Sequence, residues 1–416
     1  MRARWRWAGV AFTVVLVLGI AVVAWAHRSG WLFLMGIGSR GELEIRSGSS
    51  VSLPVVVDRG LVFVPAVVGS KHVELLLDSG FQFTVVNADR AGELNVAIAG
   101  WRDIPSGGGS VRLGFAPRLP IGLSGARFEP RRLPALHLGF LEPYVGRRLY
   151  GILGHDFISL AAIEIDYDSE LVRLHEPVAY EPLGDAVALS VEIDHREVRV
   201  AAELDPLGGN PVGAKLKVDT GSVSGLGLNG TFVARSGLVG SKQPAVSTPG
   251  VGVRGPTESR AFRLDALTLG PFTLSRPVAR YTPTATGGDE DAGTLGGEVL
   301  QRFTVTLDYH RKRMLLKPGS RVSAPFPFDH TGLSLVAEGD DLRQIAVRHV
   351  VPGSPADEAG AQAGDRVVSL RGRAARGLTL GEAENLLSST VPLLELEIER
   401  SGEIHELTLE PRVLLP

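Results

Sequence analysis

Two short motifs hold the residues whose types and spacing are best suited to acid–base chemistry. Each ends an apolar run with an aspartate, a hydroxyl residue and a glycine: Leu-Leu-Leu-Asp-Ser-Gly over 75–80 and Leu-Lys-Val-Asp-Thr-Gly-Ser over 216–222. A lone carboxylate with a pKa of about 4 is a poor base at neutral pH, whereas two carboxylates within hydrogen-bond distance share one proton. The ionised member can then activate water while the protonated member polarises a carbonyl. The pair Asp78 and Asp219 therefore predicts hydrolysis of peptide bonds.

A second pair of motifs indicates that the chain contains a duplicated unit. The stretches 151–174 and 293–316 align without a gap and share Gly, Leu, Gly, Asp, Tyr and Leu at equivalent places. Each follows one aspartate motif, so each unit supplies one carboxylate. Glycine after the hydroxyl residue allows a sharp turn, and we expect the Ser79 and Thr220 hydroxyls to hold the opposing loop.

These ordered motifs resemble the pepsin-like and retropepsin-like aspartic proteases, whose two Asp-Thr/Ser-Gly loops meet at the base of a cleft. The family also has a hydrophobic-hydrophobic-Gly segment behind each loop, matched by 152–154 and, with the polar Thr294, by 294–296. The resemblance covers about 50–320 and implies an aspartic-type endopeptidase. It implies catalytic roles for Asp78 and Asp219, and supporting roles for the neighbouring loop residues, which are Ser79, Gly80, Thr220, Gly221 and Ser222.

One residue next to the first motif departs from this family. Phe81 stands where a small residue is usual, as Ser222 is in the second motif. A bulky residue there favours the alternative of an inactive peptide-binding adaptor.

The glycines Gly107, Gly108 and Gly109 are the candidate substrate-covering flap, and a plain surface loop is the competing interpretation. A further alternative pairs each unit with its counterpart in another chain.

The pattern of short apolar runs predicts a mainly β protein. Runs rich in Val, Ile and Leu alternate with Gly, Pro and Asp, and helical periodicity is sparse before residue 326. From there the chain predicts a small α/β module with helices near 354–360 and 379–388. We therefore divide the sequence into a leader, a connector, two duplicated β lobes forming one cleft and a C-terminal domain, with the boundaries 1–30, 31–50, 51–180, 181–322 and 326–413.

The C-terminal module resembles a bacterial PDZ domain. Thr-Gly-Leu-Ser-Leu over 331–335, Pro-Gly-Ser-Pro-Ala over 352–356 and Ala-Gly-Asp-Arg-Val-Val over 363–368 occur in the order and spacing of that family. The resemblance implies a loop whose backbone N–H groups capture a peptide's terminal carboxylate, beside an edge strand. Its alternative role is structural or dimerising. The predicted peptide-binding residues are Gly332, Leu333, Ser334 and Leu335.

The N-terminal segment predicts export. Three arginines, Arg2, Arg4 and Arg6, precede an apolar run over 7–26 that is long enough for a transmembrane helix. The small residues at 24–26 also fit a signal-peptide cleavage site, so both interpretations stay open, with the anchor favoured by the length of the run. We expect the bacterial periplasm, or the inner membrane with the protein facing the periplasm.

Composition excludes several function classes. The chain has no cysteine, so thiol catalysis and Cys-based zinc sites are excluded, and its ten histidines show no metal-ligand spacing. A formal charge of −3 without a basic face argues against nucleic acid. We expect no metal and no cofactor. The expected partners are peptide or protein substrates, C-terminal peptides at the PDZ groove, and a membrane through the N-terminal segment.

Overall fold

A computed structural model describes most of the chain beyond the N-terminal leader. It covers residues 41–46, 48–106, 109–182, 184–240, 243–252, 255–284, 291–389 and 391–415. The predicted leader 1–30 and most of the connector lie outside these residues, as do Gly107 and Gly108 of the candidate flap. Within the described part, no helix is long and apolar enough to cross a membrane. The predicted domain boundaries stay predictions, and the units below are named by their strands.

Within the residues that the structure describes, the first β unit contains fourteen strands, each three to eight residues long. They are β1 Glu42–Ile45, β2 Ser50–Pro54, β3 Val56–Asp58, β4 Leu61–Val68, β5 Lys71–Leu77, β6 Val85–Asn87, β7 Ala99–Ser106, β8 Gly109–Ala116, β9 Ile121–Leu123, β10 Ala126–Glu129, β11 Leu133–Leu136, β12 Gly151–Leu153, β13 Ala162–Asp166 and β14 Leu171–His175.

In the described part of the second β unit there are twelve strands. They are β15 Val187–Asp194, β16 Glu197–Asp205, β17 Val212–Asp219, β18 Leu226–Asn229, β19 Val246–Gly252, β20 Gly255–Arg263, β21 Ala266–Leu269, β22 Phe272–Ser275, β23 Val278–Thr282, β24 Gly293–Gly296, β25 Phe303–Asp308 and β26 Arg313–Pro318.

One strand order occurs in both units. The first unit runs β4-β5-β12-β6-β11-β8-β7, and the second runs β16-β17-β24-β18-β23-β20-β19. In each, the strand that leads to an aspartate pairs in parallel with the strand of the glycine motif: Leu77 lies opposite Leu153, and Val218 lies opposite Leu295. This arrangement brings each aspartate loop against a glycine-motif strand.

The two units are joined by a shared sheet. Strand β13 of the first unit pairs antiparallel with β25 of the second, with Ile163 opposite Leu307 and Ile165 opposite Val305. All four side chains are buried, in an apolar core that extends through both units. Because this sheet contains strands of both units, it fixes the position of one aspartate loop relative to the other.

The C-terminal module has its own sheet and its own core. Its strands are β27 Leu333–Glu338, β28 Gln344–Val350, β29 Arg366–Leu370, β30 Arg373–Ala374, β31 Leu394–Arg400 and β32 Glu403–Leu409. The apolar side chains inside it form a cluster separate from that of the β units. Strand β27 is an edge strand, since its one partner in the sheet is β28.

Helices are short throughout the described residues. They are α1 Ala91–Leu94, α2 Glu142–Val145, α3 His155–Ile158, α4 Gly230–Ser236, α5 Gly297–Leu300, α6 Pro355–Glu358 and α7 Leu380–Leu387. Short 3₁₀ turns occupy Ala88–Arg90, Gly139–Leu141, Tyr309–Arg311 and Ala375–Gly377. The prediction of a mainly β fold with a small C-terminal α/β module is confirmed.

Candidate functional site

The structure brings the two aspartate loops together through four crossed hydrogen bonds. The Ser79 hydroxyl donates to the Val218 carbonyl at 2.8 Å and accepts from the Thr220 N–H at 3.1 Å. In the mirror arrangement, the Thr220 hydroxyl donates to the Leu77 carbonyl at 2.7 Å and accepts from the Ser79 N–H at 2.9 Å. Both hydroxyl residues are buried. The loops therefore form one rigid floor.

The glycines of the two motifs lie directly against the opposing carboxyl groups. A Cβ placed on Gly80 would lie 2.5 Å from Cγ of Asp219, and one placed on Gly221 would lie 2.2 Å from Cγ of Asp78. Real Cβ atoms do not approach so closely, so both positions require glycine. This reciprocal packing places the two carboxyl groups side by side.

Each aspartate loop is held from behind by backbone hydrogen bonds. In the first unit the Asp78 N–H donates to the Leu153 carbonyl at 3.0 Å, and the His155 N–H donates to the Phe81 carbonyl at 2.8 Å. In the second unit the Gly297 N–H donates to the Ser222 carbonyl at 2.7 Å. The glycine motifs thus position the loops through backbone atoms, and these hydrogen bonds do not involve the Asp78 and Asp219 carboxyl groups.

The surroundings of Asp78 favour its protonated form. Burial, followed by the charge of Asp219, raises the pKa of the Asp78 carboxyl to about 8. The Lys217 ammonium and the Gly80 N–H, which donates to Oδ1 at 2.8 Å, act in the opposite direction. Asp219 is more accessible, with a side chain 16% exposed. The protonated form of Asp78 is therefore favoured, next to the more accessible Asp219.

Lys217 is a residue of this site that the sequence analysis missed. Its Nζ lies 3.7 Å from Oδ2 of Asp219, and its side chain is 23% exposed. The signal was present in the sequence, because residues two apart on a strand share a face, and Lys217 precedes Asp219 by two on β17.

A buried acid behind the first loop was also missed. The Asp156 carboxylate accepts hydrogen bonds from the Thr84 N–H at 2.6 Å, the Thr84 hydroxyl at 2.8 Å and the Phe157 N–H at 2.9 Å. Burial raises the pKa of Asp156, although the hydrogen bonds from these donors act to lower it. At the equivalent place in the second unit burial raises the pKa of Glu298, which lies 4.0 Å from Arg280. Nothing in the local sequence pattern distinguishes these acids from surface ones.

Phe81 packs into the first unit. Its ring is half-buried, contacts the apolar cluster that contains Leu61, Phe63 and Leu76, and meets Phe83 edge-on at a centroid distance of 6.0 Å. Of the candidate flap, Gly109 is described; it begins β8 and pairs with Ser106 of β7. The second unit has a corresponding hairpin, β19–β20, that the sequence analysis did not identify as a flap.

The predicted carboxylate loop of the C-terminal module uses some of its own N–H groups internally. The Asp329 carboxylate accepts from the Thr331 N–H at 2.8 Å and from the Gly332 N–H at 2.5 Å, and the Leu333 N–H donates to the Thr331 hydroxyl at 3.3 Å. Gly332 has a φ of +86°, which requires glycine. Ser334 and Leu335 follow on the edge strand β27.

Among the described residues, no group of three or more His, Cys, Asp or Glu side chains could hold a metal ion. The site therefore consists of two carboxyl groups, the loops that hold them and one nearby ammonium.

Comparison with known proteins connects the chain to peptidases over a short stretch. A chloroplastic C-terminal processing peptidase of Tetradesmus obliquus is 39% identical over 56 residues, which is 14% of this chain and 12% of that protein. A solved structure of a photosystem II D1 C-terminal processing protease matches at 30% identity over 20% of this chain and 23% of that one, with a TM-score of 0.19. The matched segments thus span less than a quarter of either relative.

These comparisons contradict the expected assignment as an aspartic-type endopeptidase of the pepsin-like or retropepsin-like family. The curated relative that they name is a C-terminal processing peptidase, a different kind of protease. The assignment as an aspartic-type endopeptidase is therefore wrong. It rested on loop motifs, and such motifs specify local geometry; a fold or motif likeness does not by itself establish a function.

The C-terminal resemblance has direct support. A family model described as a PDZ domain matches residues 347–400, which include β29, α7 and β31. The edge strand β27 and the loop at Gly332 lie just before the matched stretch, in the order expected of that family. The chain carries a C-terminal PDZ domain.

Proposed function

We propose that this chain is a peptide hydrolase whose PDZ domain binds peptide segments, and that Asp78 and Asp219 are residues of its active site. The relatives named above are peptidases, which supports hydrolysis as the reaction. The PDZ domain supports peptides as the ligands. The assignment of the two aspartates rests on the geometry of the two loops.

The observation that carries the proposal is the reciprocal packing of each motif glycine on the opposing carboxyl. Gly80 lies against Asp219 and Gly221 lies against Asp78, so each loop packs directly on the carboxyl group of the other. Burial and the charge of Asp219 raise the pKa of the Asp78 carboxyl, and carboxyl groups with strongly shifted pKa values are frequent at functional sites.

The Ser79 and Thr220 hydroxyls have a structural role in the two loops. A hydroxyl that acts as a nucleophile must deliver its proton to a base. The Ser79 and Thr220 hydroxyls donate to backbone carbonyls instead and are buried. Ser79, Gly80, Thr220, Gly221 and Ser222 therefore support the loops that hold the two carboxyl groups. The N-terminal apolar segment supports export, with the site facing the bacterial periplasm.

The test is cleavage of an unfolded protein by the purified chain between pH 3 and 9. We expect Asp78→Asn and Asp219→Asn each to lower the rate by at least about a hundredfold, since general acid–base groups contribute roughly 10²–10⁴. The double variant should be no slower than either single variant, because the two groups act as a unit. Asp194→Asn is the matched control, since that side chain is 71% exposed.

Two results would count against the proposal. Unchanged cleavage by the double variant would place the active site elsewhere in the chain. A wild-type protein that binds peptides but cleaves none, at any pH tested, would instead favour the inactive adaptor. Thermal melting of each variant separates loss of chemistry from loss of fold.

A further inference from the structure

The peptide groove of the PDZ domain lies between the free edge of β27 and helix α7. A peptide enters such a groove as an added strand, so it needs the edge of β27 and the facing side of α7 to be open. Leu380 and Glu384, one helical turn apart, lie on the same face of α7. Leu380 is 1% exposed and belongs to the core of the PDZ domain, and Glu384 is half-buried, so little of this face is open to solvent.

The cover comes from the first β unit. Arg59, in the turn between β3 and β4, has a side chain only 14% exposed and lies 3.3 Å from the Glu384 carboxylate. A Cβ placed on Gly146 would lie 2.7 Å from Cβ of Leu380. A Cβ placed on Gly381 would lie 2.6 Å from Oδ1 of Asp58. The Asp58–Gly60 turn and the end of α2 thus contact α7 without a gap.

The same segment also contacts the edge strand and the strand beside it. Helix α2 packs on β27. The Tyr144 ring lies under the Arg348 guanidinium of β28, 5.8 Å from ring centroid to the guanidinium carbon. Arg148 donates to the Asp340 carbonyl just after β27 at 2.9 Å. The α2 segment therefore lies where an added peptide strand would lie.

Arg59 links the two parts of this cover. Its guanidinium donates to the Tyr144 carbonyl at 2.8 Å and the Val145 carbonyl at 2.5 Å, and it also contacts Glu384. Arg59 has a φ of +51°, a conformation that a non-glycine side chain adopts at some cost. One side chain thus connects the turn, the C-terminal end of α2 and the PDZ helix.

The turn also reaches the loops that carry the carboxyl groups. A Cβ placed on Gly60 would lie 2.6 Å from the carbonyl carbon of Gly297. The Gly297 N–H in turn donates to the Ser222 carbonyl of the second aspartate loop. The Asp58–Gly60 turn and the second aspartate loop thus share one neighbour, Gly297.

From these contacts we infer that the PDZ groove is closed by the chain itself, with the Asp58–Gly60 turn and α2 as an internal occupant that a peptide with a free C-terminus must displace. The peptide-binding part of this inference rests on the proposed function of the PDZ domain, and it does not depend on hydrolysis. A groove that is open only part of the time has an apparent affinity reduced by the open fraction. The occupant therefore weakens peptide binding until it is released.

The first test uses no ligand. Amide hydrogen exchange is measured over 333–338 and 380–387 in the full chain and in Arg59→Glu, which places a carboxylate against Glu384. We expect exchange in both segments to be at least about tenfold faster in the variant, since the open fraction sets the rate. The double variant Arg59→Glu with Glu384→Arg restores the ion pair and should restore protection. Arg118→Glu is the matched control, because that side chain is 61% exposed.

The second test uses a fluorescein-labelled random decapeptide pool that ends in Val, Leu or Phe with a free carboxylate, beside the same pool amidated. Arg59→Glu should bind the free-carboxylate pool at least about tenfold more tightly than the wild type, and the amidated pool should gain nothing. Exchange unchanged by Arg59→Glu, or equally tight peptide binding by the wild type, would overturn the inference. Faster exchange without peptide binding would support the closed groove and count against the PDZ part of the proposed function.

Discussion

At the residue scale, the site depends on how differently two identical side chains are surrounded. Asp78 is buried at 9% exposure, whereas Asp219 lies beside Lys217 and is more accessible. The sequence predicted which two aspartates would meet and which hydroxyls would hold the loops, because the motif residues have local reasons for their positions. It did not predict the asymmetry, since burial depends on the packing of distant strands.

The raised pKa of Asp78 has a consequence for stability. Its pKa rises from 3.8 to about 8 on folding, so the folded state binds the proton more tightly. The stability that this contributes is fully present below pH 3.8 and is lost as the pH rises through about 8. Asp78→Asn removes the titration, so the Tm of the variant relative to the wild type should increase from pH 4 to pH 8 and level off above it.

Calorimetry of both proteins across this range is the measurement. A relative change of about 1 kcal/mol corresponds to roughly 2–4 °C for a unit of 150–250 residues. Asp194→Asn, at an exposed position, is the control and should show no such trend. A constant Tm difference between Asp78→Asn and the wild type at every pH would mean that Asp78 titrates normally in the folded protein.

At the element scale, the two helices predicted in the C-terminal module were close to their observed positions. The predicted segment 354–360 contains α6 at Pro355–Glu358, and the predicted segment 379–388 contains α7 at Leu380–Leu387. The covering role of α2 has no sequence signal, since it depends on contacts with a domain far along the chain.

Strand β24 offers an element-scale prediction. Gly293 has a φ of +139°, and a Cβ there would lie 2.0 Å from the Gly227 carbonyl oxygen on β18. We expect Gly293→Ala to destabilise the second unit by about 3 kcal/mol or more, because both the backbone and the neighbouring strand would have to move.

Gly213 is the matched control for that substitution. It lies on the neighbouring strand β17, and a Cβ there would meet nothing within 4 Å. Gly213→Ala should change stability by no more than about 0.5 kcal/mol. Urea unfolding of the two variants compares them directly. Equal midpoints would show that β24 tolerates a side chain and does not approach β18 as closely as the structure places it.

At the scale of the whole molecule, a continuous series of contacts connects the PDZ groove with the loop of Asp219. The PDZ groove is covered by the Asp58–Gly60 turn, the turn packs on Gly297, and Gly297 holds the loop of Asp219 through Ser222. A peptide that displaces the turn would be held close to the carboxyl pair, which raises its effective concentration there. Binding at the groove and cleavage at the carboxyl pair should therefore be coupled for long substrates.

That coupling predicts a separation of kinetic constants in the full chain. Arg59→Ala should lower the KM for a long substrate with a free C-terminus by about tenfold, because the groove no longer has to be opened. It should leave the KM for the amidated substrate unchanged, since that substrate cannot use the groove. We expect kcat to stay within about twofold for both, as Arg59 does not contact the carboxyl pair. Arg118→Ala serves as the exposed control. An equal fall in KM for free and amidated substrates would show that Arg59 acts at the carboxyl pair and not at the PDZ groove. That result would contradict the coupling between the groove and the carboxyl pair.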